Sequence, residues 1–285
     1  MTIDRDKLLA TTVEDEPCSY TESDSILYAL GVGFATDPND SRALAYVYDG
    51  TPMRTVPTMA NRMLSSTFLR TCGWNARRLA HVEEHLDLYR PLPPAAELLA
   101  NRRVRSVEDL GAAVGARIVI EAELRLARDA TVLFNCSRTI IARADGGFGS
   151  GEPAAGMPHH ALPSREADLA CDIETTANQA LLFRLVDSRH PVHVDRRVAE
   201  AAGFDGPVLH GRCTLGIACH AILKTICEYD FTLISSFTAR FTQPVFPGDT
   251  IRVEMWQDRD VVSFRALVPE RQVVVLDNGR CSLAT

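Results

Sequence analysis

No stretch of this chain has the length and apolarity of a membrane span, which needs about 20 residues. Paired C-x-x-C spacings are missing too. The eight cysteines are scattered, so zinc and dithiol redox centres are not expected. Cys213, Cys219 and Cys227 lie in apolar helical surroundings, where a free thiol packs as a small hydrophobe. There is no excess of positive charge. The 30 Lys and Arg against 37 Asp and Glu leave a net charge of −7. That argues against nucleic acid or an anionic membrane as a general partner. A local basic patch for a phosphorylated ligand is still allowed. The first residues, MTIDRDKLLATTVEDEP, are too charged for a signal peptide, and the final CSLAT is no peroxisomal tripeptide. The expected compartment is the cytoplasm. What remains is ordinary for a globular protein: 46% hydrophobic, 24% charged, and 285 residues, enough for one large or two small domains.

The first half reads as a helix and then strands. Thr21 or Ser23 can cap a short helix with Ile26, Leu27 and Leu30 on its buried side, ended by Gly31 and Gly33. Residues 42–48 have strand character, with Asp49-Gly50 as a turn. After Pro57, the residues Met59, Met63, Leu64, Phe68 and Leu69 recur at helical intervals and predict a long helix. Extended segments follow at 81–94, 97–105, 117–126 and 131–142. In the third of these, Ile118, Ile120, Ala122 and Leu124 share one face, as a period of two requires.

Residues 144–165 concentrate Gly and Pro without apolar period and read as a linker. Its His159 and His160 read as plain exposed residues, because no third ligand accompanies them. Beyond it residues 167–175 lead to a short helix at 177–185, a loop, and a long helix at 211–229. On that helix Leu215, Ala218, Ile222 and Ile226 form one face, and Gly216 and Ala218 permit close packing on a sheet. Strands are predicted at 234–241, 250–257, 261–268 and 272–276. A faint repeat pairs Pro57 with Pro207, and Arg90-Pro91-Leu92-Pro93 with Gln243-Pro244-Val245-Phe246-Pro247. Each half would be a helix followed by an antiparallel meander, a helix inside a curled sheet being well shielded.

Chemistry concentrates in residues 185–216, LVDSRHPVHVDRRVAEAAGFDGPVLHGRCTLG. Asp187, Ser188, His190, His193 and Asp195 fall within one short segment, where Pro191 forbids regular helix or central strand. Downstream, Pro207-Val208-Leu209-His210-Gly211 leads into the apolar helix. A helix start presents unpaired N–H groups that suit a developing negative charge. The loop would supply an acid or base and Gly211 an oxyanion site. Asp195 also suits a helix cap, His210 a structural role before Gly211, and His190 local hydrogen bonding.

These residues resemble the MaoC-like hydratases, specifically the hydratase 2 type of 2-enoyl-CoA hydratase. The family pattern is roughly G-D-x-N-P-(L/I/V)-H-x-D, then A-G-F-x-x-P-(I/V)-(L/V)-H-G. It is met by Pro191, Val192, His193 and Asp195, then by Ala202, Gly203, Phe204, Pro207, Val208, Leu209, His210 and Gly211. The chain departs from it at three positions: Ser188 stands at the catalytic Asp, Asp187 at the Gly and His190 at the Asn. The stretch YALGVG and the segment HVEEHLDLYRPLP are also similar to family segments. The resemblance implies an α+β double hot-dog fold, two antiparallel sheets each wrapping a long helix. An N-terminal hot-dog domain at 18–143 lacks the reactive loop and makes room for a long acyl chain. After the linker at 144–165, a second at 166–285 carries the loop. It also implies an acyl-CoA thioester substrate, no metal or other cofactor, and a homodimer.

Adding water to a 2-enoyl thioester needs a group to take a proton, a group to orient the water, and N–H donors for the thioester oxygen. In the family an Asp and a His hold the water and a backbone N–H at the start of the hot-dog helix holds the oxygen. By resemblance His193 takes the His role and Gly211 the backbone role, with His210 beside it. Gly248, in the Gly248-Asp249 turn, and Arg240 are the candidates for the CoA entrance. A serine hydroxyl without a partner is no base near pH 7. Three readings therefore stand: Asp187 reaches the water; His193 or His190 acts as sole base with Ser188 as anchor; or the site is impaired and binds acyl-CoA without hydrating it.

Overall fold

The computed structural model describes residues 3–37, 39–64, 79–143, 145–149 and 159–284. The first five strands are β1 (Thr12–Tyr20), β2 (Leu79–Leu88), β3 (Ala96–Asp109), β4 (Ala116–Leu126) and β5 (Val132–Ala142). The second five are β6 (Leu169–Glu174), β7 (Ile234–Phe241), β8 (Thr250–Asp258), β9 (Val261–Val268) and β10 (Val273–Leu283). All ten join one antiparallel sheet in the order β1-β3-β4-β5-β2-β7-β10-β9-β8-β6. Read inward from each edge the two halves have the same order, so the faint sequence repeat is a repeat of topology.

The expected α+β double hot-dog fold is found, with its two antiparallel sheets joined edge to edge into one. The seam is β2 on β7, from Glu83 opposite Arg240 to Asp87 opposite Ser236. The inner edge strand of each half carries unpaired ladder groups, and pairing the two edges satisfies both. Inward residues alternate as the period of two demands: Ile118, Ile120, Ala122 and Leu124 are all buried on β4. β10 runs well beyond the expected 272–276. Its register shifts between Asp277 and Arg280, with Asn278 at φ 53°, which breaks the alternation that marks a strand in sequence.

With helices numbered in chain order from the short α1 (Arg5–Leu9), the central helix across the sheet is α6 (Gly211–Thr225). Every residue from Cys213 to Leu223 is buried, so it has no single apolar face. It stops before 229 because Glu228 and Tyr229 turn to positive φ and the Tyr229 amide closes back on the Leu223 carbonyl, 2.7 Å away. Gly216 was expected to permit approach to the sheet. Its close neighbour is instead the end of α2 (Glu22–Gly31): a Cβ on Gly216 would lie 2.4 Å from Val32 Cγ1. Thr21 and Asp24 close a capping box on α2, with the Asp24 amide donating to Thr21 Oγ1 and the Thr21 amide to Asp24 Oδ2. The buried side of α2 carries Ser25, Tyr28 and Ala29, while Leu30 is exposed, so the helix is rotated from the face read in sequence.

Other elements differ from the pattern as well. Residues 42–48 hold no strand: α3 (Ser41–Leu44) is capped by Asp40, and Tyr46 turns into an aromatic cluster. There its ring lies 4.5 Å from that of Phe34 and its hydroxyl donates to the Tyr229 carbonyl. Pro57–Met63 is a 3-10 helix, and Phe68 and Leu69 of the long helix expected there lie outside the described residues. Of the expected linker, residues 144 and 150–158 are likewise outside. His159 is exposed, but His160 is not a plain surface residue: its Nε2 lies 2.7 Å from Ser263 Oγ and its carbonyl accepts from Asn278. No helix among the described residues is long and apolar enough to cross a membrane.

Candidate active site

The loop begins where α4 (Gln179–Phe183) ends and the Asp187 amide bonds the Phe183 carbonyl. Two small turns shape it. Ser188 Oγ accepts from the His190 amide, and His190 Nδ1 accepts from the Val192 amide, which starts a 3-10 turn over Pro191–His193. Such local side-chain bonds are how Ser and similar residues organise irregular backbone. Asp195 then caps α5 (Arg196–Ala201), accepting from the Arg197 and Val198 amides, and Gly203 at φ +89° turns the chain out of it. The returning segment is pinned by the Leu209 amide, which donates to Val245. His210 is the N-cap of α6 and Gly211 its first residue.

Loop and helix start meet through two imidazoles. The His193 ring stacks on the His210 ring with centroids 3.5 Å apart and planes 19° apart. His193 Nδ1 lies 2.9 Å from the Val208 carbonyl. A carbonyl can only accept, so Nδ1 carries the proton and Nε2 is left as a bare acceptor. His210 Nε2 donates in the same way to the Ser188 carbonyl at 2.8 Å, and its buried Nδ1 has no partner among the described residues. Burial holds His193 down to about 4, with the neighbouring His190 adding to the effect and the Val208 bond opposing it. Burial and the adjacent His193 hold His210 down to about 3. Both rings are neutral at physiological pH. Beside them, a Cβ on Gly211 would lie 3.1 Å from the Phe241 ring, and that ring lies 4.5 Å from His81. The first-turn amide is thus set in a tight wall.

Asp187 joins this site through the residue after Gly211. Arg212 Nη1 lies 2.6 Å from Asp187 Oδ1, Arg212 Nε lies 2.8 Å from Glu84 Oε1, and Nη2 donates to the Leu64 carbonyl. Glu84 has no exposed surface, and it also accepts from Arg138 Nε at 3.0 Å and Asn61 Nδ2 at 2.7 Å, with His81 Nε2 at 3.1 Å. Although fully buried, Glu84 is held down to about 2 by Arg212 and His81. Asp187 moves the other way. Burial, then the negative charge of Glu84, push its carboxyl up to about 7 against a bond from the Ser188 amide.

The geometry sorts the candidates read from the sequence into two groups, and sequence reasoning missed a third. His193, His210 and Gly211 come together, and Asp187 reaches the same helix start through Arg212. The Ser188 and His190 side chains are spent on the turn and both residues are exposed. Arg240 alternates with the inward Phe241 and shares the outer face with Thr238; it lies 4.0 Å from Glu83 of the neighbouring strand. Strand alternation turns it away from α6 and onto the outer face of the sheet. Gly248, at φ +101°, sits in the turn after Val245, where its amide donates to Thr175. Beside that turn Arg271, not singled out in sequence, donates to Pro244 O and Asp249 and lies over the Phe246 ring at 5.0 Å. Also missed were Glu84, Arg138, Asn61 and Arg212. A signal existed: Glu84 and Arg138 occupy the inward parity of apolar strands, with Leu86 and with Phe134, Cys136 and Ile140.

Comparison with known proteins agrees with this architecture. The MaoC like domain family matches residues 159–278, and the MFE-2 hydratase 2 N-terminal domain matches residues 18–144. Enoyl-CoA hydratase ChsH3 of Mycobacterium tuberculosis is 32% identical over 98% of this chain and 98% of its own. The peroxisomal enoyl-CoA hydratase 2 of Arabidopsis thaliana is 32% identical over 95% of this chain and 93% of its own. Among solved structures, full-length peroxisomal multifunctional enzyme type 2 from Drosophila melanogaster superposes with a TM-score of 0.83 at 28% identity. That likeness covers 96% of this chain and 48% of the larger one. A MaoC-like dehydratase from Phytophthora capsici, with a TM-score of 0.88 at 24% identity over 99% of this chain and 98% of its own, shares the fold.

Proposed function

The chain belongs to the MaoC-like, hydratase 2 type of enoyl-CoA hydratases, and we propose that it adds water reversibly to trans-2-enoyl-CoA thioesters, giving the (R)-3-hydroxyacyl product. The observation that carries the reading is the His193–His210 stack at the tip of α6. It stacks an imidazole whose Nε2 is unprotonated on the residue that caps a buried helix.

In this reading the thioester oxygen accepts from the Gly211 N–H, and His193 Nε2 accepts from one hydrogen of the water and orients it. Asp187 as carboxylate takes the other proton as the water oxygen bonds Cβ. The π electrons move onto the thioester oxygen. The protonated Asp187 then returns its proton to Cα and the carbonyl re-forms. A carboxyl whose proton affinity is raised to about 7 suits taking and giving in turn. Ser188 supports the loop, and the turn around Gly248 with Arg271 forms the CoA entrance. No metal or cofactor enters the reaction beyond the CoA of the substrate. By the same resemblance we propose a homodimer. The seven described cysteines, all free thiols, fit a reducing cytoplasm.

Purified protein with crotonyl-CoA, and separately with a longer enoyl-CoA, tests this through loss of the enoyl absorbance. Turnover is expected, with His193→Gln lowering kcat by about 10²–10⁴-fold. Binding without turnover on either substrate would replace this reading by an acyl-CoA-binding protein. Sedimentation and cell fractionation test the dimer and the compartment.

A further inference from the structure

The network behind Asp187 has no part in the mechanism so far. It is built across the seam of the two halves: Glu84 comes from β2, Arg138 from β5 and Asn61 from the 3-10 turn, while Arg212 and Asp187 come from the second half. A buried ion cluster of this kind gives little net stability over apolar residues of similar volume. Its geometry points toward the site instead. Arg212 follows the oxyanion amide directly, and three bonds hold its planar guanidinium, to Glu84, to the Leu64 carbonyl and to Asp187 Oδ1. Among the described residues, Arg212 is the only side chain hydrogen-bonded to Asp187. Glu84 is itself immobilised by four groups. The carboxyl is therefore placed by a residue of the opposite half of the chain.

We propose that Glu84 and Arg212 are positioning residues for Asp187: the first half supplies a fixed anion that, through one shared guanidinium, holds the carboxyl of the second half's loop at the reacting carbons. This rests on the reading of Asp187 as the proton carrier. Glu84, bonded by both Arg138 and Arg212, keeps its charge, and burial together with that nearby anion drives the Asp187 carboxyl to hold its proton. Glu84 has the fuller set of donors. Among the described residues, the groups facing Asp187 are Arg212 and Cys213 on α6, Glu84 on β2, Arg62 on the 3-10 turn and Tyr28 on α2. Glu84 is the only carboxylate among them.

The test is Glu84→Gln with full pH profiles of kcat and kcat/KM. Asn61 Oδ1 is buried without a partner among the described residues. An amide flip of Asn61 lets it accept from the new side chain, so the fold keeps its bonds while the anion is lost. The limb of the profile that reports Asp187 should move to lower pH by about one unit or more. Arg212→Met should lower kcat by roughly 10²-fold, the scale of a misplaced catalytic group. KM should stay within a few-fold, and Arg212→Lys should restore part of kcat. Asp187→Asn, run alongside, separates the two ideas. If Asp187→Asn keeps full activity, the proton-carrier reading fails. If Asp187→Asn is dead while Glu84→Gln leaves the limb in place, or Arg212→Met keeps wild-type kcat, the positioning role is overturned. Far-ultraviolet circular dichroism and the melting temperature of each variant identify any that fail to fold; for those, Glu84→Gln with Arg212→Lys gives the decisive profile.

Discussion

Gly216 offers a sharp test of how α6 is seated. An alanine there places Cβ 2.4 Å from Val32 Cγ1, 2.9 Å from Tyr28 Oη and 3.3 Å from Val32 Cβ. Neither neighbour has room to yield. Val32 and Tyr28 are buried, the Tyr28 hydroxyl bonds Thr58 at 3.2 Å, and its ring lies 5.6 Å from Phe183. Helix propensity favours alanine over glycine by about 1 kcal/mol. Against it stand about 1–3 kcal/mol for overpacking and about 1 kcal/mol if the Tyr28–Thr58 bond is lost. The net expectation is a destabilisation of roughly 1–3 kcal/mol, or a melting temperature lower by about 2–5 °C for a protein of this size. Urea unfolding by linear extrapolation measures it. In a double-mutant cycle, Gly216→Ala with Val32→Ala should lose at least about 1 kcal/mol less than the sum of the single changes. Gly216 lies five positions after Gly211, so a shift of α6 also displaces the amide proposed to hold the thioester oxygen and lowers kcat. A variant as stable as the parent, or strictly additive with Val32→Ala, would refute the packing argument.

Further expectations concern charge and capping. Glu84→Ala leaves the buried Arg138 without its anion and Arg212 with Asp187 alone, and should cost about 3–5 kcal/mol in denaturant, well above the cost of Glu84→Gln. Asp195→Ala removes a cap holding two amides and should cost about 1 kcal/mol by the same measurement. Acid should destabilise the protein in two windows. His193, His210 and His220 are held at about 4, 3 and 4 in the folded chain, below the 6.5 of a free imidazole. Unfolding therefore takes up protons, and stability present at pH 7 is lost as pH falls from 6.5 towards 4. Asp187, raised to about 7 from 3.8, opposes this with one proton, leaving a net uptake of about two. Below pH 4.5 the loss deepens again as Glu84, held at about 2, is forced to protonate on unfolding. Stability measured from pH 7.5 to 3.5 checks the sign, and His220→Asn should flatten the first window.

Much of the strand architecture was legible because it is local. Ile118, Ile120, Ala122 and Leu124 alternate, and a buried sheet face leaves them no other arrangement. Asp195 announced the start of α5, and Thr21 that of α2, because caps satisfy the helix's own amides. The reactive loop was visible for the same reason: its residues are neighbours in sequence. The rotation of α2, the aromatic burial of Tyr46 and the outward turn of Arg240 were not legible, since each depends on what packs from a distant segment.

The chain alone determined its two-copy layout and its meanders, since alternation, capping and spacing act over a few residues. Only the tertiary structure decided that the inner edges of β2 and β7 close into a single sheet. That seam brings Glu84 within reach of Arg212, and so sets the charge behind Asp187. A carboxylate's proton affinity is governed by burial and by charges a few ångströms away, and residues 84, 187 and 212 become neighbours only once the halves have joined.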